Sequence, residues 1–174
     1  MSETLKVMWG VEGCDEIIKQ LNSLKSAVKS IEEDLPEHLA RVGQQAAEAK
    51  TASVGAVGLD GNQLGGFYIL EHSDSVELVN QGEDVAFIEF GTGIMGSQSP
   101  HPLAGDAGWE YYTPTRYKRT VGGRKGWYYK NKLTGELTFT QGMVGTKAMY
   151  EARLDIFRAM FRDSEEMLHR KWLR

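Results

Sequence analysis

The stretch VAFIEFGTGIMGSQSPHPLAGDAGWEYY, residues 85–112, decides how the rest of the chain is read. It opens on an apolar run ending at Phe90 and passes through Gly91, Gly93 and Gly96. It then crosses the Pro100–His101–Pro102 triplet and closes on Trp109, Tyr111 and Tyr112. The apolar run reads as a strand, and the residues after it read as a long glycine-punctuated loop. A loop longer than about 12–15 residues inside a domain is usually functional or disordered. The aromatic content here argues against full disorder.

Upstream of this stretch, FYILEHS and SVELVNQ carry apolar and polar alternation and predict two more strands, with turns near His72–Ser75 and Asn80–Glu83. Together with EDVAFIEFG they form an expected antiparallel meander whose outer face is polar through Glu71, Glu77, Asn80 and Glu89. Residues 53–66 hold five glycines and read as a mobile loop or an irregular hairpin, without the spacing of a phosphate-binding loop. Before them, Cys14, Ile17, Leu21, Leu24, Val28 and Ile31 recur at three- and four-residue intervals. That is one face of a helix, or of two helices broken near Ser26–Ser30. A further helix is expected from Asp34, a capping residue with Glu37 three positions on and Pro36 in the first turn. Its narrow face is Leu39, Val42, Ala46 and Ala49. LKVMW, residues 5–9, predicts a short strand.

Downstream, residues 91–125 read as the long loop insertion. GWYYK and ELTFT then predict two strands joined by a turn over Lys130–Gly135. The chain closes on a helix whose stripe of Tyr150, Leu154, Phe157, Phe161, Leu168 and Trp172 predicts a core-facing surface, with Met160 and Met167 widening it. Trp172 completes the core or packs on a neighbouring subunit. The expectation is therefore one α+β domain spanning 1–174. A mostly antiparallel sheet packs against long N-terminal and C-terminal helices, with the glycine- and aromatic-rich loop inserted at 91–125.

Composition narrows the function classes. A net charge of −4 over 174 residues argues against bulk attraction to nucleic acid or acidic membranes. The single cysteine, Cys14, excludes an internal disulfide and a cysteine-rich zinc site, and is expected as a buried or partly buried thiol. No apolar run approaches the roughly 20 residues that span a bilayer. The N-terminus lacks the layout of a signal peptide, so a cytoplasmic origin is expected.

No candidate residues form a catalytic set by spacing. Asp60, Glu89, His101 and Asp106 can be imagined as hydrolytic, yet nothing joins them in one pocket. His38, His72, His101 and His169 are too scattered to suggest zinc. Neither a metal nor a cofactor is expected, nor an enzyme. Glu89 either accepts bonds from loop amides and holds the 91–96 turn, or is a solvated edge residue. His101, flanked by Pro100 and Pro102, is expected to cap backbone groups or to sit at an interface. Gly91, Gly93 and Gly96 allow positive φ or close backbone approach.

The aromatic cluster of Trp109, Tyr111, Tyr112, Trp127, Tyr128 and Tyr129 divides by alternation. Trp127 and Tyr129 point one way and Tyr128 the other, and Trp109 and Tyr111 split likewise from Glu110 and Tyr112. Either all of these rings serve the core, or one set fills it and the other contacts a neighbouring subunit. Arg116, Lys118, Arg119, Arg124 and Lys125 make a basic loop tip, flexible at Gly122 and Gly123. Such a tip is a solvated surface, or meets an acidic partner or DNA phosphates in a salt-sensitive way. Phe157, Phe161 and Trp172 are candidates for helix packing or an interface.

IEFGTGIMGSQSPHP, GWEYY, GWYYKN and FTQGMVGTKAMYEA, taken in order after GVEGCDEIIKQLNSL, resemble the HK97 gp10-like family of tailed-phage and prophage proteins, which are tail-completion or head–tail neck components. Phe90–Gly96 match the family's turn after its central strand, and Pro100–Pro102 match its PHP segment. Gly108–Tyr111 and Gly126–Tyr129 match its paired aromatic elements, and Thr140–Tyr150 match its approach to the final helix. At that approach Gly145–Met149 stand where relatives often carry Arg-Pro-Phe, and residues 113–125 are longer than in compact relatives. The resemblance implies helices on a mostly antiparallel sheet and a ring, six copies by analogy, at the head–tail junction. It also implies other phage neck and tail proteins as partners, and assembly in the host cytoplasm before residence in the virion. Adjacent roles as a tail-tube terminator or minor tail component stay open, as does non-specific contact of the basic loop with channel DNA.

Overall fold

The computed structural model describes residues 11–54, 66–82, 84–112, 118–131 and 134–172. They form α1 (Val11–Val54), β1 (Phe67–Glu71), β2 (Val76–Asn80), α2 (Val85–Phe90), β3 (Gly91–Thr92) and α3 (Gly93–Gln98). After these come β4 (Lys118–Val121), β5 (Arg124–Lys130), β6 (Leu137–Thr140), β7 (Gly142–Val144) and α4 (Ala148–Trp172). The architecture is α+β: long N- and C-terminal helices with antiparallel sheets. The expected strand at 5–9, nearly all of the glycine-rich stretch and Arg116 lie outside the described residues.

Of the two readings for residues 14–31, α1 follows the single helix, and it corrects the fresh start at Asp34, because 44 residues run as one helix with Pro36 inside. An interior proline loses a backbone hydrogen bond and crowds the preceding turn, at a cost of about 3 kcal/mol. Packing against antiparallel α4 offsets that cost on both sides of the proline. Lys171 Nζ donates to Ser30 Oγ at 2.5 Å and also reaches the Asp34 carboxylate. Beyond the proline, His38 Nε2 lies 2.7 Å from Asp163 Oδ2. Asp34, expected as a cap, is instead the partner of Lys171. Asp163 also takes a hydrogen bond from Arg162. That bond, with His38 second, holds the Asp163 carboxyl down from 3.8 to about 2.

Small residues form the seam between the two helices. Ala40, Gly43 and Ala47 of α1 are buried, as are Ala148, Ala152 and Ala159 of α4. The seam lies one position from the predicted Leu39–Val42–Ala46–Ala49 face, a rotation of about 100°. A Cβ on Gly43 would lie 2.6 Å from Ile156 Cδ1 and 3.1 Å from Leu78 Cδ2, so α1, α4 and β2 converge there. The aromatic stripe of α4 is corrected as well. Phe157 is 49% and Phe161 73% exposed, since bulky rings do not fit a seam this close, and Trp172 is half-buried. Cys14 is exposed, not buried. Lys171 in the last turn of α4 reaches Ser30, and before it α1 buries Ala27 while Ile18, Leu21 and Val28 are exposed.

One expected sheet is three small ones: β1–β2, β3–β7 and β4–β5–β6, all antiparallel. The β1–β2 hairpin lies on α1. Phe67 is buried in a cluster with Ala47, Ala148 and Ala152, and its carbonyl accepts from Gln44 Nε2 at 2.8 Å. Asn80 pairs with Phe67 and so shares its face, contrary to the expected outer polar face. Its Oδ1 is buried without a hydrogen-bond partner among the described residues. The third expected strand, VAFIEF, is helix α2. The stretch expected as loop, 91–125, holds β3, α3, β4 and the start of β5.

Candidate functional site

Three glycines of the opening stretch fix where α2 stops and what packs on the next turns. Gly91 ends α2 at φ 82°, and a Cβ there would lie 2.5 Å from Gly145 N, so no larger residue fits. Gly93 sits under the Trp127 ring and Gly96 under Tyr111, with added Cβ atoms 2.3 and 2.8 Å from them. These glycines make room for close contacts.

That packing buries Glu89, 7% exposed, and His101, 4% exposed, side by side. Glu89 is neither an edge residue nor an acceptor from the 91–96 loop. Because VAFIEF is helical, its side chain reaches the start of α4 instead. Oε2 accepts from the Met149 amide at 3.0 Å, and Oε1 accepts from the Tyr150 amide at 3.0 Å. These are among the amides that a helix leaves unpaired in its first turn, where the helix dipole favours a negative charge. The neighbouring backbone completes the join: Thr146 N–H donates to Ile88 O at 2.7 Å and Lys147 N–H to Glu89 O at 3.2 Å.

His101 takes the remaining place at the carboxylate, with Nε2 3.1 Å from Glu89 Oε1. Its Nδ1 lies 3.0 Å from the Leu103 amide. An amide N–H only donates, so Nδ1 is the acceptor, and Nε2 carries the proton and donates to Glu89. The His101 amide donates to the Tyr111 hydroxyl at 2.6 Å. Phe90 and Tyr150 flank the ring, with centroids 4.3 and 5.5 Å away. Trp109 stacks on Phe90 at 5.1 Å and donates its indole N–H to Gly91 O at 3.1 Å. Pro100 and Pro102 are exposed on either side of the buried histidine.

Chemically this is a structural lock. Both imidazole nitrogens are engaged and both carboxylate oxygens accept backbone bonds. A general base needs a free nitrogen within reach of a proton. Of the imagined hydrolytic set, Glu89 and His101 meet, Asp106 is exposed, and Asp60 lies outside the described residues. Among the described residues no group of three or more histidine, cysteine, aspartate or glutamate side chains is placed to hold a metal.

The remaining candidates lie at the surface. Trp109 and Tyr111 are half-buried while Glu110 and Tyr112 are exposed, and Trp127 and Tyr129 are half-buried while Tyr128 is exposed. The described part of the basic segment, residues 118–125, is a β-hairpin. β4 pairs with β5 across Gly122 and Gly123, both at positive φ (54° and 76°), the geometry of a tight two-residue turn. Arg119, Arg124 and Lys125 are exposed on it, and the backbone of Lys118 opens β4 opposite Trp127. Strand parity puts Val121 and Arg124 on the same face as Phe139, and Lys125 on the other.

Beside this hairpin runs an open groove of about 610 Å³, lined by Met95, Val121, Arg124, Phe139 and the Thr140–Gly142 backbone turn. Sequence reasoning missed it because its lining is gathered from α3, β4, β5 and β6, with the Phe139 ring packed over Gly126 of β5. Among the described residues no helix is long and apolar enough to cross a membrane. Comparison with known proteins returns no matching family model, no matching curated protein and no matching solved structure.

Proposed function

We propose that the chain is a structural subunit of a tailed-phage or prophage particle, acting at the head–tail junction by assembling with copies of itself and with neighbouring neck and tail proteins. The motif order of residues 85–150 motivates the family reading. The observation that carries the assembly reading is how the motif's reactive groups are used. Glu89 and His101 are spent on joining α2 to α4, while Phe87, Leu137, Phe157 and Phe161 stand exposed. Large apolar side chains on a surface mark contact sites when they cluster. The mechanism is mechanical continuity and closure. A ring needs two different complementary surfaces on each subunit, and six copies is the number the resemblance suggests. A tail-tube terminator or minor tail component would use the same surfaces.

Electron microscopy of particles made with and without this chain tests the reading. Full heads beside unattached tails in the deletion support it. Normal, joined, infectious particles in the deletion overturn it. A second reading, non-specific contact with DNA phosphates, is favoured by the exposed Arg119, Arg124 and Lys125. Salt-sensitive binding of the isolated protein to duplex DNA checks that reading.

A further inference from the structure

The groove beside the basic hairpin and the tip of the first hairpin complement each other. The groove's lining pairs the apolar Met95, Val121 and Phe139, with Val121 41% exposed, with the polar Thr140 and Gln141 and the cationic Arg124. On β1–β2, strand register places Leu70 directly opposite Glu77, on the face turned away from α1. Leu70 is 40% exposed at the narrow hairpin end, and Glu77 and Asp74 are exposed beside it. Glu77 faces only His72 at 3.6 Å, an exposed pair of little strength. The chain thus carries one exposed apolar–acidic tip and one exposed apolar–basic groove. They belong to different sheets, and no hydrogen bond or ion pair described between residues of the two joins them.

From this complementarity we infer that the occupant of the groove is the β1–β2 tip of a second copy of this chain. Leu70 lies on Val121 and Phe139, and Glu77 pairs with Arg124. The inference rests on the assembly reading and specifies its contact. Because tip and groove are different surfaces, the contact is head-to-tail, and each bound copy leaves one tip and one groove open for the next. Repetition closes a ring if the rotation permits and otherwise builds a filament. An apolar anchor beside a charge pair gives such an interface both affinity and register.

Two charge-reversed proteins test the contact. Asp74→Lys/Glu77→Lys makes tip and groove both basic, and Arg124→Glu makes both acidic. All three positions are exposed, so the fold is retained, which circular dichroism verifies. In sedimentation at up to millimolar protein, the wild type is expected to associate. Each variant alone is expected to associate at least ~10-fold more weakly. An equimolar mixture of the two is expected to regain association, because every tip then meets a groove of opposite charge. Leu70→Ala is expected to weaken wild-type association without shifting the melting temperature by more than a few degrees. Three outcomes overturn the inference: a monomeric wild type at millimolar concentration, variants that associate as the wild type does, or a mixture that stays monomeric. Association abolished instead by Phe161→Ser would also place the contact elsewhere. None of these outcomes touches the particle comparison, so the contact and the assembly role fail separately.

Discussion

Glu89 and His101 meet 3.1 Å apart in the interior, and the same Glu89 carboxylate also holds the first turn of α4, sixty residues further along the chain. The pair is a clamp between two helices. Glu89→Gln keeps the shape but turns an amide NH₂ group toward backbone donors. The expected loss is about 2–3 kcal/mol, the value of hydrogen bonds to a charged acceptor, read from urea unfolding. His101→Leu is expected to cost about 1–3 kcal/mol by stranding the Leu103 amide. The double variant should be less costly than the sum of the two.

Gly142 sits at φ 90°, where a Cβ would lie 2.1 Å from Thr92 O. Both contacting groups are backbone, so neither yields by a rotamer change. Gly142→Ala is expected to destabilise by about 2–4 kcal/mol, from the left-handed conformation and overpacking together. Thermal melting checks this. An unchanged melting temperature would mean that β3 and β7 do not pair as described.

Pro36 interrupts the hydrogen bonding of α1 without ending it. Pro36→Ala restores the lost bond and is expected to stabilise the protein by up to about 3 kcal/mol. A destabilised variant would show that proline at position 36 suits the packing of α1 on α4 better than alanine does.

Asp163 has its folded carboxyl at about 2, below the ordinary 3.8, because of Arg162 first and His38 second. A depressed carboxyl contributes stability that is fully present above about pH 4 and is lost as pH falls through about 2. Asp163→Asn lacks that contribution. Urea midpoints of the wild type and the variant are therefore expected to differ near pH 6 and to converge toward pH 2. Parallel curves would contradict the pairing.

Much of the fold is legible locally. β1, β2, β5 and β6 each alternate over a few residues between turn signals, and their pairing needs no distant partner. The features that differ from expectation depend on residues far apart in sequence. VAFIEF is too short for periodicity to separate strand from buried helix, and the reach of Glu89 to Met149 and Tyr150 decides it. Pro36 signals a helix start unless α4 is known to grip both flanks. The seam on α1 lies one residue from the predicted face because leucine and valine outweigh alanine in any apolar pattern, whereas close helix packing selects the alanines. At the site, His101 is legible as a backbone cap from its two prolines. The groove is not, because Met95, Val121, Arg124 and Phe139 come together from four separate elements.

The first part of α1 has a mechanical consequence. Residues 11–26, before the buried Ala27, amount to about 24 Å of helix at 1.5 Å per residue. A single helix of that length acts as a boom whose bearing is tied to its length. Removing one residue from it swings Ile18, Leu21 and everything beyond the cut by about 100° around the axis. Inserting seven residues extends the reach by about 10 Å and turns the tip by only about 20°. Reach and heading therefore cannot be adjusted independently, and variants of different boom length keep nearly the same heading only at particular steps, of which about seven residues is the shortest that holds it within about 20°.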